Sequence, residues 1–141
     1  MSNAERLMNV LAPIFGAGEL EVSDALIRRI GDALEPIRVD EITGVMMGDS
    51  TFSTEFEGRQ GLEDTWADWL ETFTTVTLEM EAIEEMGDNV VIFVKQVGTT
   101  RQGVEVEQPS AAVWKFRDGL IVRIEFHLDR ERARESANVP A

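Results

Sequence analysis

The dipeptide Asp118-Gly119 separates two runs of alternating apolar residues, and it restricts the fold more than any other feature of the chain. A two-residue turn between strands requires positive φ angles, which Asp and Gly adopt more readily than other residues. The turn joins residues 113–117 to residues 120–128. We therefore predict a tight antiparallel hairpin here.

Both strands of this hairpin alternate between apolar and polar residues, so each strand has two distinct faces. In the second strand, Leu120, Val122, Ile124, Phe126 and Leu128 share one face, and Arg123, Glu125 and His127 share the other. In the first strand, Val104, Val106, Ala112, Trp114 and Phe116 share a face. The pattern predicts a sheet with one buried face and one face largely in water, which needs a cover on its apolar side only.

Upstream of the sheet, apolar residues recur at helical spacing in three places. Ser2 and Ser23 are predicted to cap the first two helices, which end near Pro13 and Pro36, and the third helix begins at Leu62. Trp66, Trp69, Leu70 and Phe73 form the apolar stripe of that third helix.

The predicted strands are residues 37–47, 76–81, 90–97, 104–116 and 120–128. Residues 48–61 are predicted to form a loop with room for a short extended piece over 51–56, and residues 129–136 a short helix. Helices early and an antiparallel meander late indicate one α+β domain spanning residues 1–141.

Composition excludes several classes of function. The chain has no cysteine and one histidine, so we predict no metal site and no bound cofactor. Its formal net charge of −14 repels phosphate backbones, which argues against nucleic acid as a partner. No apolar run approaches the roughly 20 residues that cross a bilayer, so we expect no membrane partner and a cytoplasmic location.

Several segments resemble the SnoaL-like branch of the NTF2-like superfamily. They are the Gly58-x-x-Gly61 entry into a tryptophan-bearing helix, Gly87-Asp88-Asn89-Val90-Val91, residues 113–123 and Asp129-Arg130-Glu131. The resemblance covers residues 4–137. It implies a cone whose apolar cavity lies between a strongly curved, mostly antiparallel sheet and the helices, commonly in a homodimer packed through the sheet. Members include cyclases, isomerases, hydrolases, dehydratases and binding domains, so the resemblance is specific for fold and poor for function.

Two chemistries of the superfamily lack their residues in this chain. Epoxide hydrolases use two aspartates and an arginine at positions that correspond to Val94, Gln96 and Phe126 here, and none of these can act as an acid or base. Ketosteroid isomerases rely on a tyrosine donor, and the chain has no tyrosine.

Polyketide cyclases use an acidic residue within an apolar pocket, sometimes with a histidine nearby, and Glu125 and His127 are the corresponding candidates. Both lie opposite Ile124 and Phe126, so a surface or interface position is favoured for His127 over a catalytic one. Asp49 is the third catalytic candidate, because a loop carboxylate there would overhang the cavity mouth, although Gly48-Asp49-Ser50 more commonly only makes a turn.

Two functions stay open at this point. The first is a small-molecule pocket, in which an enzyme would carry out cofactor-independent cyclisation, isomerisation or dehydration of a hydrophobic carbonyl compound. The second is a non-catalytic ligand-binding or dimeric interaction module. The predicted ligand-binding residues are Trp66, Trp69, Phe73, Val94, Gln96, Trp114 and Phe126, with Arg101 as a bidentate partner for a substrate carboxylate. The alternative, which is the more common one, is that two of the three tryptophans belong to the ordinary core and that Arg101 is an exposed loop residue.

Overall fold

The computed structural model describes residues 1–47 and 53–141. In these two segments, four α-helices pack on a curved seven-stranded sheet, which makes the fold α+β and agrees with the prediction. The helices are α1 (Asn3–Phe15), α2 (Asp24–Leu34), α3 (Gly58–Leu70) and α4 (Arg130–Ala137). The strands are β1 (Leu20–Glu21), β2 (Arg38–Met47), β3 (Ser53–Glu57), β4 (Phe73–Met86), β5 (Asn89–Thr100), β6 (Glu105–Arg117) and β7 (Leu120–His127).

The sheet has the order β1-β4-β5-β6-β7-β2-β3, and it is antiparallel except where β2 pairs with β7. The predicted hairpin turn is confirmed, because Asp118 and Gly119 have φ angles of 54° and 80°. The capping of α1 is also confirmed, since the Glu5 amide donates to Ser2 Oγ and the Ser2 amide donates to Glu5 Oε1. We call the face of the sheet that α1, α2 and α3 cover the inner face.

The register of β7 differs from the prediction at its beginning. Lys115 pairs with Arg123 but Phe116 pairs with Ile121, which leaves Val122 as the extra residue of a β-bulge. A one-residue shift reverses the direction of every side chain beyond it. Ile121 is therefore fully buried and Leu120 is 37% exposed, whereas the alternation predicted the opposite.

The outer face of the sheet is covered in part, at β5 and β6, so the prediction that only the apolar side needs a cover was wrong. Helix α4 lies across this face, and its Ala133 and Ala137 are fully buried against an apolar cluster of Val91, Phe93, Ala111 and Val113. The arginines and glutamates of α4 suggest a solvated helix, but two alanines one turn apart are enough to bring it close to the strands.

Helix α3 is displaced toward the N-terminus relative to the prediction. It begins at Gly58 and ends at Leu70, and Phe73 is the first residue of β4 instead of part of the helical stripe. The threonines around Phe73 are β-branched and favour a strand. Gly44 in β2 lets α3 approach closely, because a Cβ atom there would lie 2.4 Å from Thr65 Oγ1.

We expect Gly44→Ala to destabilise the protein by about 1 to 3 kcal/mol, because the added methyl group overlaps a packed side chain. The combined variant Gly44→Ala/Thr65→Ala removes the closest atom and should recover part of that loss. Urea unfolding of the three proteins measures both effects. Equal stability of Gly44→Ala and the original protein would show that α3 does not need this close approach.

Candidate functional site

A small cavity lies between the inner face of the sheet and the ends of α1 and α3. Its walls come from α1 (Phe15), α3 (Trp66 and Trp69) and strands β4 to β7 (Leu78, Val94, Ser110, Ala111, Ala112, Trp114 and Phe126). Ser110 supplies the only side-chain hydroxyl among these residues, and none of them carries a carboxylate or an imidazole. The wall is therefore almost entirely apolar.

Aromatic side chains nearly fill the space. The Trp66 ring packs edge-on against Phe126 at 4.8 Å between centroids, and it lies 6.3 Å from the ring of Trp114. The ring of Trp69 lies 4.9 Å from that of Phe126. The cavity that remains has a volume of about 10 Å³, which is room for about one water molecule.

Three buried N–H groups on or beside this wall have no hydrogen-bond acceptor among the residues that the structure describes. Two are the indole groups of Trp66 and Trp114, and the third is the amide group Nε2 of Gln96. Gln96 is two residues from Val94 on β5, so it lies on the same face of the sheet. A buried donor without a partner costs about 1 to 3 kcal/mol, so three at one place are unusual.

The structure brings together five of the eight predicted ligand-binding residues, since Trp66, Trp69, Val94, Trp114 and Phe126 all line the cavity. Their role in binding stays a prediction.

The remaining predicted residues lie elsewhere. Gln96 lies beside the cavity, but Phe73 packs near Gly98 at the start of β4. Arg101 is exposed, and its Nε donates to the carbonyl oxygen of Glu71 at 3.0 Å. This hydrogen bond links the turn between β5 and β6 to the end of α3. Asp49 lies outside the described residues.

Sequence reasoning missed Phe15, Leu78 and Ser110 as lining residues. Leu78 and Ser110 could have been found, because they continue the alternation that places Val76 and Ala112 on the inner face. Phe15 gives no such signal. It lies beyond the predicted end of α1 at Pro13, and its approach to the cavity depends on how that helix packs.

Glu125 and His127 lie on the outer face, away from the cavity, as their alternation with Ile124 and Phe126 predicts. They are 3% and 2% exposed, because α4 and the neighbouring strands enclose them. The favoured surface or interface position of His127 is therefore wrong. His127 Nε2 lies 2.8 Å from Glu125 Oε1, Ser136 Oγ donates to the same oxygen at 2.5 Å, and Arg123 Nε donates to Oε2 at 2.7 Å.

This network keeps Glu125 ionised. Burial raises the pKa of its carboxyl group, but the hydrogen bonds from His127, Ser136 and Arg123 outweigh that effect and lower the pKa to about 2. The bond from Ser136 also joins α4 to β7. The arrangement fits a structural role, in which Glu125 holds α4 against β7. The catalytic role of Glu125 and His127 stays a prediction of the sequence.

Within residues 1–47 and 53–141, no group of three or more acidic or histidine side chains is arranged to hold a metal ion. In the same part of the chain, no helix combines the length and the apolar character that spanning a bilayer requires.

Comparison with solved structures agrees with the fold. A protein assigned to the SnoaL-like polyketide cyclases, from Jannaschia sp. CCS1, is similar at 17% identity and a TM-score of 0.68, over 99% of this chain and 93% of its own. TerC, co-crystallised with polyporic acid, is similar at 19% identity and a TM-score of 0.65, over 97% and 98%. An NTF2-like protein from Burkholderia pseudomallei K96243 is similar at 15% identity and a TM-score of 0.65, over 99% and 100%.

The fold is thus the NTF2-like cone, and sequence comparison gives the family. The family model of the SnoaL-like domain matches residues 20–124, which is most of the chain, so the protein belongs to the SnoaL-like family. No curated protein matches the sequence.

We expect Gln96→Leu to stabilise the protein by about 1 kcal/mol, because it removes a buried donor that lacks an acceptor while keeping the side-chain volume similar. Gln108, the exposed residue directly opposite Gln96 on β6, provides the matched control Gln108→Leu. Urea unfolding measures both variants. A loss of stability in Gln96→Leu alone would mean that the amide group is satisfied in solution.

We expect Glu125→Gln to be less stable than the original protein at neutral pH by an amount on the order of 3 kcal/mol. The folded-state pKa of Glu125 is about 2, below the unfolded value of 4.5, so its ionised form stabilises the fold fully above about pH 5. That contribution declines as the pH falls from 4.5 toward 2. The stability gap between the two proteins should therefore narrow at acid pH.

Urea unfolding at pH 7, 5 and 3 measures this gap. The control is Glu79→Gln, which removes the carboxylate of the exposed ion pair with Lys95 and should change stability by less than about 1 kcal/mol. A gap for Glu125→Gln that stays constant with pH would contradict the strong stabilisation of the ionised form.

Proposed function

We propose that the protein binds a flat hydrophobic molecule that carries carbonyl oxygens, inside the cone. One observation carries this proposal: the indole N–H groups of Trp66 and Trp114 belong to the wall of an apolar cavity and have no acceptor among the described residues. Carbonyl oxygens on a ligand would accept from these donors. The amide of Gln96 offers a third donor on the same face of the sheet.

The chemistry of the wall favours such a ligand over a purely apolar one. Ligand pockets are mostly apolar, with a few polar groups that set the orientation of the bound molecule. A molecule without an acceptor would leave the donors of Trp66 and Trp114 buried and unpaired, so it should bind less tightly than a carbonyl compound of the same shape. The aromatic rings of the wall favour a flat partner.

Binding requires the cavity to widen, because about 10 Å³ does not admit an organic ring. Phe15 and Trp69 are the aromatic residues of the wall that are partly exposed, so they are the side chains that can move outward. The complex of TerC with polyporic acid supports the proposal, because it shows a protein of the same fold with a small molecule.

Cyclisation, isomerisation or dehydration of the bound carbonyl compound would need an acid or base at the cavity, and the described wall has none. Asp49 is the candidate that the sequence leaves for this role, because Glu125 and His127 face away from the cavity.

The second candidate is an interaction module that forms a homodimer in the cytoplasm. The near-complete filling of the cone by its own aromatic side chains favours it. Because α4 covers the outer face at Phe93, Ala111 and Val113, a second copy would have to contact another part of the sheet. Sedimentation equilibrium over a range of concentrations tests the dimer independently of ligand binding.

We expect Trp66→Phe to weaken the binding of 1,4-naphthoquinone by about tenfold, because the substitution removes an indole donor worth about 1.4 kcal/mol. Trp69→Phe is the matched control, since Trp69 lies on the same helix, lines the same cavity and contacts the same Phe126. Its partly exposed indole group is not one of the buried donors without a partner. Equilibrium dialysis measures the dissociation constants, and the quinone finds no thiol to modify because the chain has no cysteine.

Naphthalene serves as the second probe, because it has the same two rings and no acceptor. Its affinity should be lower than that of the quinone and should change equally in the two variants. The absence of quinone binding to the original protein, together with a concentration-dependent dimer, would support the interaction module instead.

A further inference from the structure

Arg130, the first residue of α4, reaches three adjacent strands from the outer side of the sheet. Its Nε donates to the carbonyl oxygen of Ser110 on β6 at 3.2 Å, and a terminal nitrogen donates to the carbonyl oxygen of Val94 on β5 at 3.1 Å. The same nitrogen is hydrogen-bonded to the carboxylate of Glu81 on β4. The planar guanidinium group, with donors in fixed directions, suits this bridging position.

The contact occurs where the sheet is irregular. Val94 pairs with Met80 on one side and with Ser110 on the other, and the register of β4 shifts between Met80 and Ala82. Glu81 is therefore the extra residue of a β-bulge, at which regular pairing between strands is interrupted. Beside this bulge, Arg130 donates to one backbone carbonyl group of β5 and to one of β6.

The strand positions that Arg130 binds also form the wall of the cavity on the other side of the sheet. The side chains of Val94 and Ser110 line the cavity, and Ser110 Oγ donates to the carbonyl oxygen of Val94 at 3.2 Å. A shift of either strand backbone at this point would move the wall. The C-terminal helix is thus connected to the cavity through one side chain.

The cap of α4 sets the position of this side chain. Asp129 Oδ1 accepts hydrogen bonds from the amides of Glu131 and Arg132 at 3.0 and 3.2 Å, so the helix begins at Arg130. The Arg130 guanidinium also lies over the ring of Phe93, at 5.6 Å from its centroid. Both contacts direct Arg130 toward the β-bulge.

We infer that Arg130 is a positioning residue for the cavity: it holds the backbones of Val94 and Ser110 from the outer face and so sets the shape of the wall that contacts a ligand. The effect of Arg130 on ligand affinity rests on the proposed function. Its effect on the backbones of Val94 and Ser110 rests on the structure alone. The C-terminal helix then has a role in ligand affinity, in addition to covering the sheet.

Arg134 provides a matched control on the same helix. Its guanidinium lies over the same Phe93 ring, at 4.5 Å from the centroid, and it pairs with Glu84 at 3.4 Å. Its side-chain hydrogen bonds within the described residues go to Glu84 and not to the carbonyl groups of the cavity strands. Arg130→Met and Arg134→Met therefore remove a similar cation–π contact and one ion pair each, but only the first removes the bridge.

The test combines hydrogen–deuterium exchange with equilibrium dialysis of 1,4-naphthoquinone, on the full chain. We expect Arg130→Met to speed exchange in the segments around Val94 and Ser110 and to weaken quinone binding about fivefold or more. Arg134→Met should change neither quantity by more than about twofold. Arg130→Lys keeps a positive charge near Glu81 but lacks the planar guanidinium group that reaches both carbonyl groups, so it should give the same results as Arg130→Met. If Arg130→Met does not fold, Arg130→Lys is used in its place.

Equal exchange in the Arg130 and Arg134 variants would overturn the inference, and so would equal quinone affinity. If the original protein does not bind the quinone, the proposed function fails, and the exchange measurement alone then decides whether Arg130 holds the two strands. Faster exchange in both segments for Arg130→Met alone would support the positioning role.

Discussion

The packing of Trp66 against Trp114 and Phe126 is the contact on which the arrangement of the cone depends. It joins α3 to β6 and β7, and Gly44 allows α3 to approach β2 closely enough for this contact to form. Burying a side chain of this size stabilises the fold by about 3 kcal/mol. The same burial takes two indole donors away from water, which opposes that gain. The packing of Trp66 against Trp114 and Phe126 therefore closes the cone and also leaves the two indole donors without partners.

The sheet is buried on both faces at β5 and β6, and the two faces serve different purposes. The inner face carries the aromatic wall of the cavity, and the outer face carries the small apolar cluster beneath α4. This explains why residues 90–94 form an uninterrupted apolar run instead of alternating. On the outer face Glu125 accepts from three donors, whereas on the inner side the donors of Trp66, Trp114 and Gln96 have no acceptor among the described residues.

Local patterns predicted the elements that depend on neighbouring residues. The turn at Asp118-Gly119 and the caps at Ser2 and Ser23 were correct, because each depends on φ preferences or hydrogen bonds within a few residues. Helical and strand periodicity also placed Trp66, Trp114 and Phe126 on the inner face. The bulge at Val122 was missed because alternation continues through it in sequence, and only the pairing with β6 shows the extra residue.

The sequence by itself determined the α+β class, the hairpin and the aromatic residues of the inner face, because periodicity and turn chemistry are local properties of the chain. Only the tertiary structure decided that α4 covers the outer face, that Glu125 and His127 are buried beneath it, and that Arg130 reaches the strands behind the cavity. The contacts of Arg130 join residues 20 to 49 positions apart in the chain, and the bond from Ser136 to Glu125 joins residues 11 positions apart. Such contacts depend on how the elements pack together, which no short pattern of residues contains.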